Sequence, residues 1–404
     1  MADEGTELGE AVVEPQGPGK RRRPYRGIAV TAVTGLVVGA LIGAGAVAWH
    51  TDTLPFGEDE GACWGAFSKK EQAALMPDLD GEPWSEQAPG EGEKEKLTAD
   101  TPLGECHIGA GKRTSGSVTL QIEELGEIGG SGEDGPSWAE ANLSSLMTSF
   151  ASGHGEDAGL GMTSPNRAWR EIPGSCLRDD AEGGRTPYVV TLTRANGTHL
   201  GQDDGPAQRD MARGVTRAAN AVLRKFGCKA ALTVPDKIAA PPKTTDTRDL
   251  CGVEGLGWPR GLSAPPFAEL SSAGDSRGPA RTCDLLDDAS GIGIDEVHGA
   301  TSFTTVTDPR LAQIYHRVVL YGGPKIRQVG SEKGYGALGT TLTAFRTQCQ
   351  GRDVVFAAKP REDIRRKGED GREAVRRMFP RYVAAEAEKA GCGDVELEMP
   401  AATG

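Results

Sequence analysis

The sequence predicts an α+β protein in which a single transmembrane helix precedes two duplicated lobes, each stapled by disulfides. Three observations lead to this fold class. An uncharged run of 23 residues lies near the start of the chain. All eight cysteines follow that run, and their number is even. After the run, one order of apolar patterns and cysteines occurs twice. The 404 residues suffice for two or three domains.

The uncharged run predicts a membrane anchor. Residues 27–49 read GIAVTAVTGLVVGALIGAGAVAW, and as a helix they would span about 35 Å, enough to cross a bilayer core. Basic KRRRPYR precedes the run and acidic HTDTLPFGEDE follows it, which places the N-terminus in the cytoplasm and the main body outside the cell. The alternative is a signal peptide cleaved near Ala48, although the run exceeds the usual signal core of roughly 7–15 residues. The main body is exported in both cases.

Composition divides the chain into six segments. They are a disordered cytoplasmic tail (1–26), the transmembrane helix (27–49), a juxtamembrane linker (50–62), exported lobe 1 (63–234), a Pro- and Thr-rich linker (235–250) and exported lobe 2 (251–404). Within the transmembrane helix, Gly35, Gly39 and Gly43 recur every four residues on one face. This spacing is typical of closely packed membrane helices and would allow a homodimer. The other interpretation is a chance pattern in a Gly/Ala-rich span.

Each lobe repeats one order of elements, which predicts an internal duplication. Alternating strand patterns at 117–125 and 301–307 are each followed by an amphipathic helix. The triplets Ala-Trp-Arg (168–170) and Ala-Phe-Arg (344–346) come next, each before a cysteine. A further strand, a second helix ending in Gly-Cys, and a short closing strand complete each lobe. We therefore expect a small, antiparallel sheet in each lobe, packed against two or three helices.

The first helix of each lobe has its own start signal. Ser137 and Glu140 fit a capping box, and Asp308 with Pro309 fits an N-cap followed by a first-turn proline. The apolar positions at i, i+3, i+4 and i+7 are Leu143, Leu146, Met147 and Phe150 in lobe 1 and Leu311, Ile314, Tyr315 and Val318 in lobe 2. The second helices end differently: Gly227 is predicted as a left-handed C-cap, and Pro380 is expected to kink or break the helix of lobe 2.

The cysteines predict structural disulfides, because an exported body meets an oxidising environment. Four cysteines in each lobe allow three connectivities. We choose first with second and third with fourth, which joins the end of each second helix to the cysteine before the strand. The predicted bonds are Cys63–Cys106, Cys176–Cys228, Cys251–Cys283 and Cys349–Cys392. Each would close a loop of roughly 30–50 residues and contribute about 3–4 kcal/mol.

Charge and motifs exclude several function classes. The net charge is −13, and the first 26 residues sum to zero, so the acidic excess lies in the remainder. Such a surface repels phosphate backbones, and we expect no nucleic-acid binding. The sequence contains no Gly-x-Ser-x-Gly, no His-Glu-x-x-His and no phosphate-binding loop. No catalytic residue, metal or cofactor is therefore predicted.

The layout resembles actinobacterial membrane-anchored envelope proteins of unknown activity. The basic stop before a Gly/Ala-rich span, the Gly/Ala/Arg/Asp-rich composition and the paired cysteines of the exported part carry this resemblance. It covers the plan of the whole chain, has no specific motif and implies no catalytic residue. We expect a single-pass cell-envelope protein whose extracellular part binds an envelope ligand or protein. The alternatives are an exported hydrolase that uses an unrecognised pair of carboxylates and a structural spacer.

Overall fold

The computed structural model describes most of the chain after residue 61. Residues 59–404 form one compact unit. The described residues are 62–76, 84–87, 97–100, 102–110, 117–125, 138–152, 159–177, 187–195, 205–229, 231–233, 238, 244–245, 249–262, 267–271, 278–287, 301–360 and 368–401. The predicted tail, the transmembrane helix with Gly35, Gly39 and Gly43, and the linker up to residue 61 lie outside this set. Among the described residues, no helix has the length and apolar character needed to cross a membrane.

Lobe 1 contains an antiparallel sheet, sheet 1. Its seven strands are β1 (Trp84–Gln87), β2 (Gly104–Ala110), β3 (Ser117–Glu124), β4 (Thr148–Ser152), β5 (Leu160–Thr163), β6 (Arg167–Ile172) and β7 (Tyr188–Arg194). Their order across the sheet is β1-β2-β3-β7-β6-β5-β4. The helices are α1 (Lys69–Leu75), α2 (Trp138–Asn142) and α3 (Gly205–Lys225), with a helical turn at Ala62–Gly65 and a 3-10 turn at Gly174–Cys176.

Lobe 2 contains a second antiparallel sheet, sheet 2. Its nine strands are β8 (Thr244–Thr245), β9 (Phe267–Ser271), β10 (Ala280–Asp287), β11 (Thr301–Val306), β12 (Lys325–Gln328), β13 (Ser331–Ala337), β14 (Thr343–Cys349), β15 (Arg352–Lys359) and β16 (Leu397–Glu398). Their order is β16-β12-β13-β14-β15-β11-β10-β9-β8. The helices are α4 (Pro309–Gln313), α5 (His316–Tyr321) and α6 (Gly368–Lys389), and Leu250–Gly252 form a 3-10 turn.

The two sheets share one strand order. When β9, β10, β11, β12, β13, β14 and β15 are matched in chain order to the seven strands of sheet 1, both sheets have the same sequence of neighbours. Sheet 2 adds one two-residue strand at each edge. One of these, β8, lies within the predicted linker 235–250 and pairs with β9. The α+β class and the antiparallel pairing are as predicted; the strand order could not be read from the sequence.

The long helices end in the same way. Gly227 and Gly391 both have a left-handed backbone, with φ of 73° and 75°. The N–H of Cys228 donates to the Leu223 carbonyl at 2.9 Å, and the N–H of Cys392 donates to the Ala387 carbonyl at 2.8 Å. This is the bond that a glycine C-cap allows, because glycine adopts positive φ without a Cβ clash. The predicted cap at Gly227 is confirmed.

The four predicted disulfides are all present. They join Cys63 to Cys106, Cys176 to Cys228, Cys251 to Cys283 and Cys349 to Cys392. In each lobe the first bond joins a turn to a strand: Cys63, before β1, is joined to β2, and Cys251, between β8 and β9, is joined to β10. The second bond joins the end of the long helix to the segment just after β6 or to the last residue of β14. Cys63 and Cys251 also share a left-handed backbone, with φ of 55° and 61°.

The first helices differ from the prediction. In lobe 1 the helix ends at Asn142, and Phe150 lies in β4 rather than on the helix. The N–H of Ser145, which would continue the helical ladder, donates instead to Asp284 in lobe 2. In lobe 2, Asp308 caps α4 as predicted by accepting the Arg310 N–H at 2.9 Å. The single predicted helix is however two short ones, α4 and α5.

Three further expectations need correction. Helix α6 continues through Pro380, although the proline ring removes one helical N–H donor. Residues 231–233 form no strand, so a closing strand is described only in lobe 2, as β16. The two Ala-aromatic-Arg triplets are out of phase by one residue: Trp169 packs between the lobes, whereas Phe345 packs under α6. A slip of one residue turns every side chain of a strand to the other face.

Three apolar clusters hold the unit together. One lies between sheet 1 and α3, and one lies between sheet 2 and α6. Each of these includes both disulfides of its lobe. The third contains side chains of both lobes, such as Trp169, Val189, Tyr315 and Val355. Each sheet therefore has one face under its long helix and the other toward the shared cluster, and the lobes meet through a packed core.

Candidate functional site

Polar contacts cross the shared core between the lobes. Asp284 on β10 accepts the backbone N–H of Ser145 at 2.8 Å. The hydroxyl of Thr282, two residues earlier on the same face of β10, donates to the Leu143 carbonyl. It also lies 3.0 Å from the Thr304 hydroxyl on β11. The segment after α2 is thus bonded to lobe 2 through its backbone, which explains why the helix stops at Asn142.

The same segment carries polar atoms without a partner. Trp138 Nε1, Asn142 Oδ1 and Ser145 Oγ are buried and have no hydrogen-bond partner among the described residues. The other polar atoms of Asn142 form hydrogen bonds. Its side-chain Nδ2 donates to the Trp138 carbonyl, and its backbone carbonyl accepts the Trp169 Nε1–H at 2.9 Å. The Trp138 and Trp169 rings meet edge to face, with centroids 5.2 Å apart. These contacts fix the segment in place between the sheets.

A second polar contact between the lobes is an ion pair. Arg310 on α4 reaches Glu171 on β6, with Nη1 to Oε2 at 2.9 Å, and holds Asp308 at 3.0 Å. Glu171 also accepts the Leu160 N–H at 2.8 Å. Burial raises the pKa of Glu171, against the opposing influence of the Leu160 N–H and the charge of Arg310. Burial lowers the pKa of Arg310, but its bonds to Asp308 and Glu171 outweigh this and raise it.

These acids suit a structural role better than a catalytic one. Asp284 is 1% exposed and Glu171 is 5% exposed, so neither offers a carboxyl group to a substrate in solution. Burial raises the pKa of Asp284 to about 6, although the hydrogen bonding of Ser145 and the charge of Lys359 oppose the shift. A hydrolytic pair needs two acids that converge on an open site, whereas these two acids are buried between the lobes.

A further polar group lies beneath α6. Glu386, nearly fully buried, forms ion pairs with Arg281 and with Lys389. The Tyr382 hydroxyl lies 2.8 Å from the Thr305 hydroxyl, and burial raises the pKa of Tyr382 to about 12. Every member has a partner within lobe 2. We interpret this group as support for α6 against the sheet.

The exposed candidate is one face of lobe 2, which we call the basic face. It is formed by α5, β12, β13 and β14. Direct cross-strand pairing sets Arg327 on β12, Tyr335 on β13 and Arg346 on β14 in one row. Directly paired residues point their side chains to the same side of a sheet, and neighbouring strands lie about 4.8 Å apart, so the row spans about 10 Å. Helix α5, which ends in Tyr321, packs on β13 and β14 beside this row.

The side chains of the basic face are open to solvent. Tyr321 is 77% exposed and Tyr335 is 37% exposed. Together with Val329 in the turn between β12 and β13, they account for three of the four exposed large hydrophobic residues in the described part of the chain. Arg327 and Lys333 are exposed, and neither has an ion-pair partner among the described residues. Exposed aromatic rings beside unpaired cations are typical of binding surfaces.

Two bases and three acids complete the electrostatics of the basic face. Lys325 donates to the Leu320 carbonyl at the end of α5, and half-buried Arg346 pairs with Asp353 on β15. Glu398 on β16 stands directly opposite Arg327 and begins the row. Positive charge still exceeds negative charge here, because the four bases Lys325, Arg327, Lys333 and Arg346 outnumber the acids Asp353, Glu398 and Glu332, the last of which lies on β13.

Charge distinguishes the two lobes at equivalent places. From α4 to β14, residues 309–349 contain six Arg or Lys and one acid, Glu332. The topologically equivalent stretch from α2 to β6, residues 138–172, contains two Arg and four acids. The chain as a whole carries −13. A basic stretch in one lobe of an acidic protein is a local specialisation that the shared fold does not require.

Sequence analysis predicted no binding role for any residue of the basic face, and it named Arg346 only as part of the repeated Ala-Phe-Arg triplet. The predicted site residues were the eight cysteines, which lie in the disulfides, and the three transmembrane glycines, which lie outside the described residues. The excess of six bases over one acid in residues 309–349 is visible in the sequence, but it is not apparent from the net charge of the whole chain. The row Arg327–Tyr335–Arg346 could not be read, because its members are paired through strand register. Comparison with protein-family models, with curated proteins and with solved structures yields no match for this chain.

Proposed function

We propose that this protein is a single-pass cell-envelope protein whose exported part is a binding module, and that it binds its partner through the basic face of lobe 2. The membrane anchor and the cytoplasmic N-terminus rest on the charge pattern around residues 27–49. The disulfides agree with an oxidising environment outside the cell. The observation that carries the binding role is the exposed row with Tyr335 between two arginines.

The proposal includes an internal duplication. The two sheets share a strand order, the long helices share a Gly-Cys ending, and the disulfides occupy matching places. A duplicated gene segment accounts for these agreements together. The lobes then diverged in charge, and lobe 2 took on the binding role while lobe 1 kept an acidic surface.

The alternatives are weaker on specific grounds. An exported hydrolase would need accessible acids, and the two inter-lobe acids with raised pKa values, Asp284 and Glu171, are buried in hydrogen-bonded contacts. A structural spacer would not need a solvent-exposed aromatic and basic surface. Exposed aromatic rings lower solubility and bring no benefit unless something binds them.

Site-specific photocrosslinking in intact membranes tests the proposal. A photoreactive residue in place of Arg327 would sit on the basic face. The same residue in place of Arg352 is the matched control, because Arg352 is also an exposed arginine but pairs with Cys349, whose side chain faces the core under α6. We expect adducts of higher mass from position 327 and none from position 352. Equal labelling at both positions, or none at either, would refute a binding role for this face.

A further inference from the structure

We infer that the basic face binds an anionic polysaccharide, with arginines contacting the acidic groups and tyrosines packing against sugar rings. This inference rests on the proposed binding role and names the chemistry of the partner. Three properties of the basic face support it: its charge, its aromatic rings and its width.

Charge complementarity gives the sign of the partner. Arg327 and Arg346 stand on either side of Tyr335, and exposed Lys333 lies two residues before it on β13. Guanidinium groups bind carboxylate, sulfate and phosphate oxygens in a planar, two-pronged geometry. The whole protein carries a net charge of −13, so the remainder of its surface is acidic on average and repels an anionic chain. Binding is therefore confined to this face.

The aromatic rings indicate what carries the charge. Tyr335 lies between the two arginines, and Tyr321 projects from the end of α5 beside the same strands. A tyrosine ring offers an apolar face and a hydroxyl group at its edge. Sugar rings present C–H faces that pack on such a ring and hydroxyl groups that bond to its edge. Alternation of basic and aromatic side chains along a row fits a chain in which sugar rings alternate with acidic groups.

The width of the row favours a chain over a broad surface. Its three members lie on adjacent strands and span about 10 Å. A single polymer chain can follow such a row. A membrane or a large protein surface that covers the whole face would also meet the flanking acids Asp353 and Glu398, at an electrostatic disadvantage.

Binding of the full-length protein to four probes tests the inference. The probes are polygalacturonate (acidic sugar rings), dextran (neutral sugar rings), inorganic polyphosphate (charge without rings) and vesicles of anionic phospholipid. We expect retention on polygalacturonate that weakens as salt rises, because exposed charges are screened, and weaker or no retention on the other three. Arg327→Gln and Tyr335→Ser should each lower affinity for polygalacturonate about tenfold or more. Arg352→Gln, which removes one exposed charge from the other side of the sheet, should leave it unchanged.

The outcomes separate the inference from the proposed function. Polyphosphate or vesicles binding as tightly as polygalacturonate would overturn the role of sugar rings. An equal loss in Arg352→Gln would show that total charge, rather than the row, governs binding. If position 327 crosslinks in membranes but polygalacturonate does not bind, the inference fails while the binding role stands. Failure of both experiments would remove the binding role as well.

Discussion

Asp284 provides the sharpest stability prediction, because it is an acid buried between the lobes. Replacing it with asparagine keeps an oxygen that can accept the Ser145 N–H and removes the ionisable group. Burial raises the pKa of Asp284 from 3.8 to about 6 in the folded protein. In the unfolded chain the carboxyl group is solvated and ionises near its ordinary value. The carboxylate is therefore less stable in the folded state than in the unfolded state.

The sign of the pH dependence follows from this difference. Below pH 3.8 the carboxyl group is protonated in both states and has no effect on the free energy of unfolding. Between pH 3.8 and about 6 the unfolded state ionises first, so the folded protein loses stability as pH rises. Above pH 6 the loss is complete. A difference of about two pKa units corresponds to about 3 kcal/mol.

Denaturant unfolding of wild type and Asp284→Asn between pH 4 and pH 7.5 measures this effect. Other groups contribute to the pH dependence of both proteins, among them Glu171, whose pKa is also raised by burial. The informative quantity is therefore the difference between the two proteins at each pH. We expect Asp284→Asn to gain up to about 3 kcal/mol over wild type on going from pH 4 to pH 7.5, with an unchanged denaturant slope. A difference that stays constant across this range would refute the buried-carboxylate reasoning.

Two further predictions concern the contacts that stabilise the lobes. Gly227→Ala should destabilise the protein by about 1 kcal/mol, because alanine must adopt a left-handed backbone at φ of 73°. Gly391→Ala should cost about the same, because its φ is 75° and the nearest side-chain atom, the Gln350 amide nitrogen, lies at the end of an exposed side chain that can move away; clearly unequal losses in thermal unfolding would contradict this. Arg310→Gln leaves Glu171 buried without its ion-pair partner and should cost about 2–4 kcal/mol. Adding Glu171→Gln should recover part of that loss, and a double mutant with the summed losses of the single mutants would show that the pair is not coupled.

The sequence predicts those features that depend on short-range chemistry. Gly227 before Cys228 indicates a left-handed cap, and the structure has it. The order of cysteines along each lobe indicates a pairing, and the structure has that pairing. The cap depends on a few neighbouring residues, and the pairing follows from the order of the cysteines along each lobe. The amphipathic stripe of α3 is of the same kind, with its apolar side chains buried against sheet 1.

Features that depend on distant partners could not be predicted. The helix after residue 137 was extended to Phe150 on its apolar spacing alone. It stops at Asn142 because Thr282 and Asp284, 139 residues away, bond the backbone of the following turn. Nothing in the sequence near residues 137–150 indicates those partners. Strand order and the row on the basic face could not be predicted for the same reason, because strand register is set by the whole sheet.

A one-residue difference between the lobes explains why only lobe 2 has the basic face. The Ala-aromatic-Arg triplets lie on corresponding strands, β6 and β14, but in opposite phase. In lobe 1, Trp169 points into the core between the lobes, and Arg170 points to the other side, buried over the Phe150 ring. In lobe 2, Phe345 points under α6, and Arg346 points away from it, into the row with Tyr335.

In the two triplets, the aromatic side chain and the arginine therefore point to opposite sides of their sheets in lobe 1 and lobe 2. In lobe 1 the phase of β6 gives the shared core its largest side chain and hides the arginine. In lobe 2 the phase of β14 fills the core under α6 and turns the arginine to the side of the shared cluster, where Arg346 is half-buried and contributes to the row. Because side chains alternate along a strand, a single-residue shift is the smallest change that can move a side chain from one face of a sheet to the other. Two lobes of one topology can therefore differ in surface chemistry without any new element, through this shift and the basic residues that accompany it.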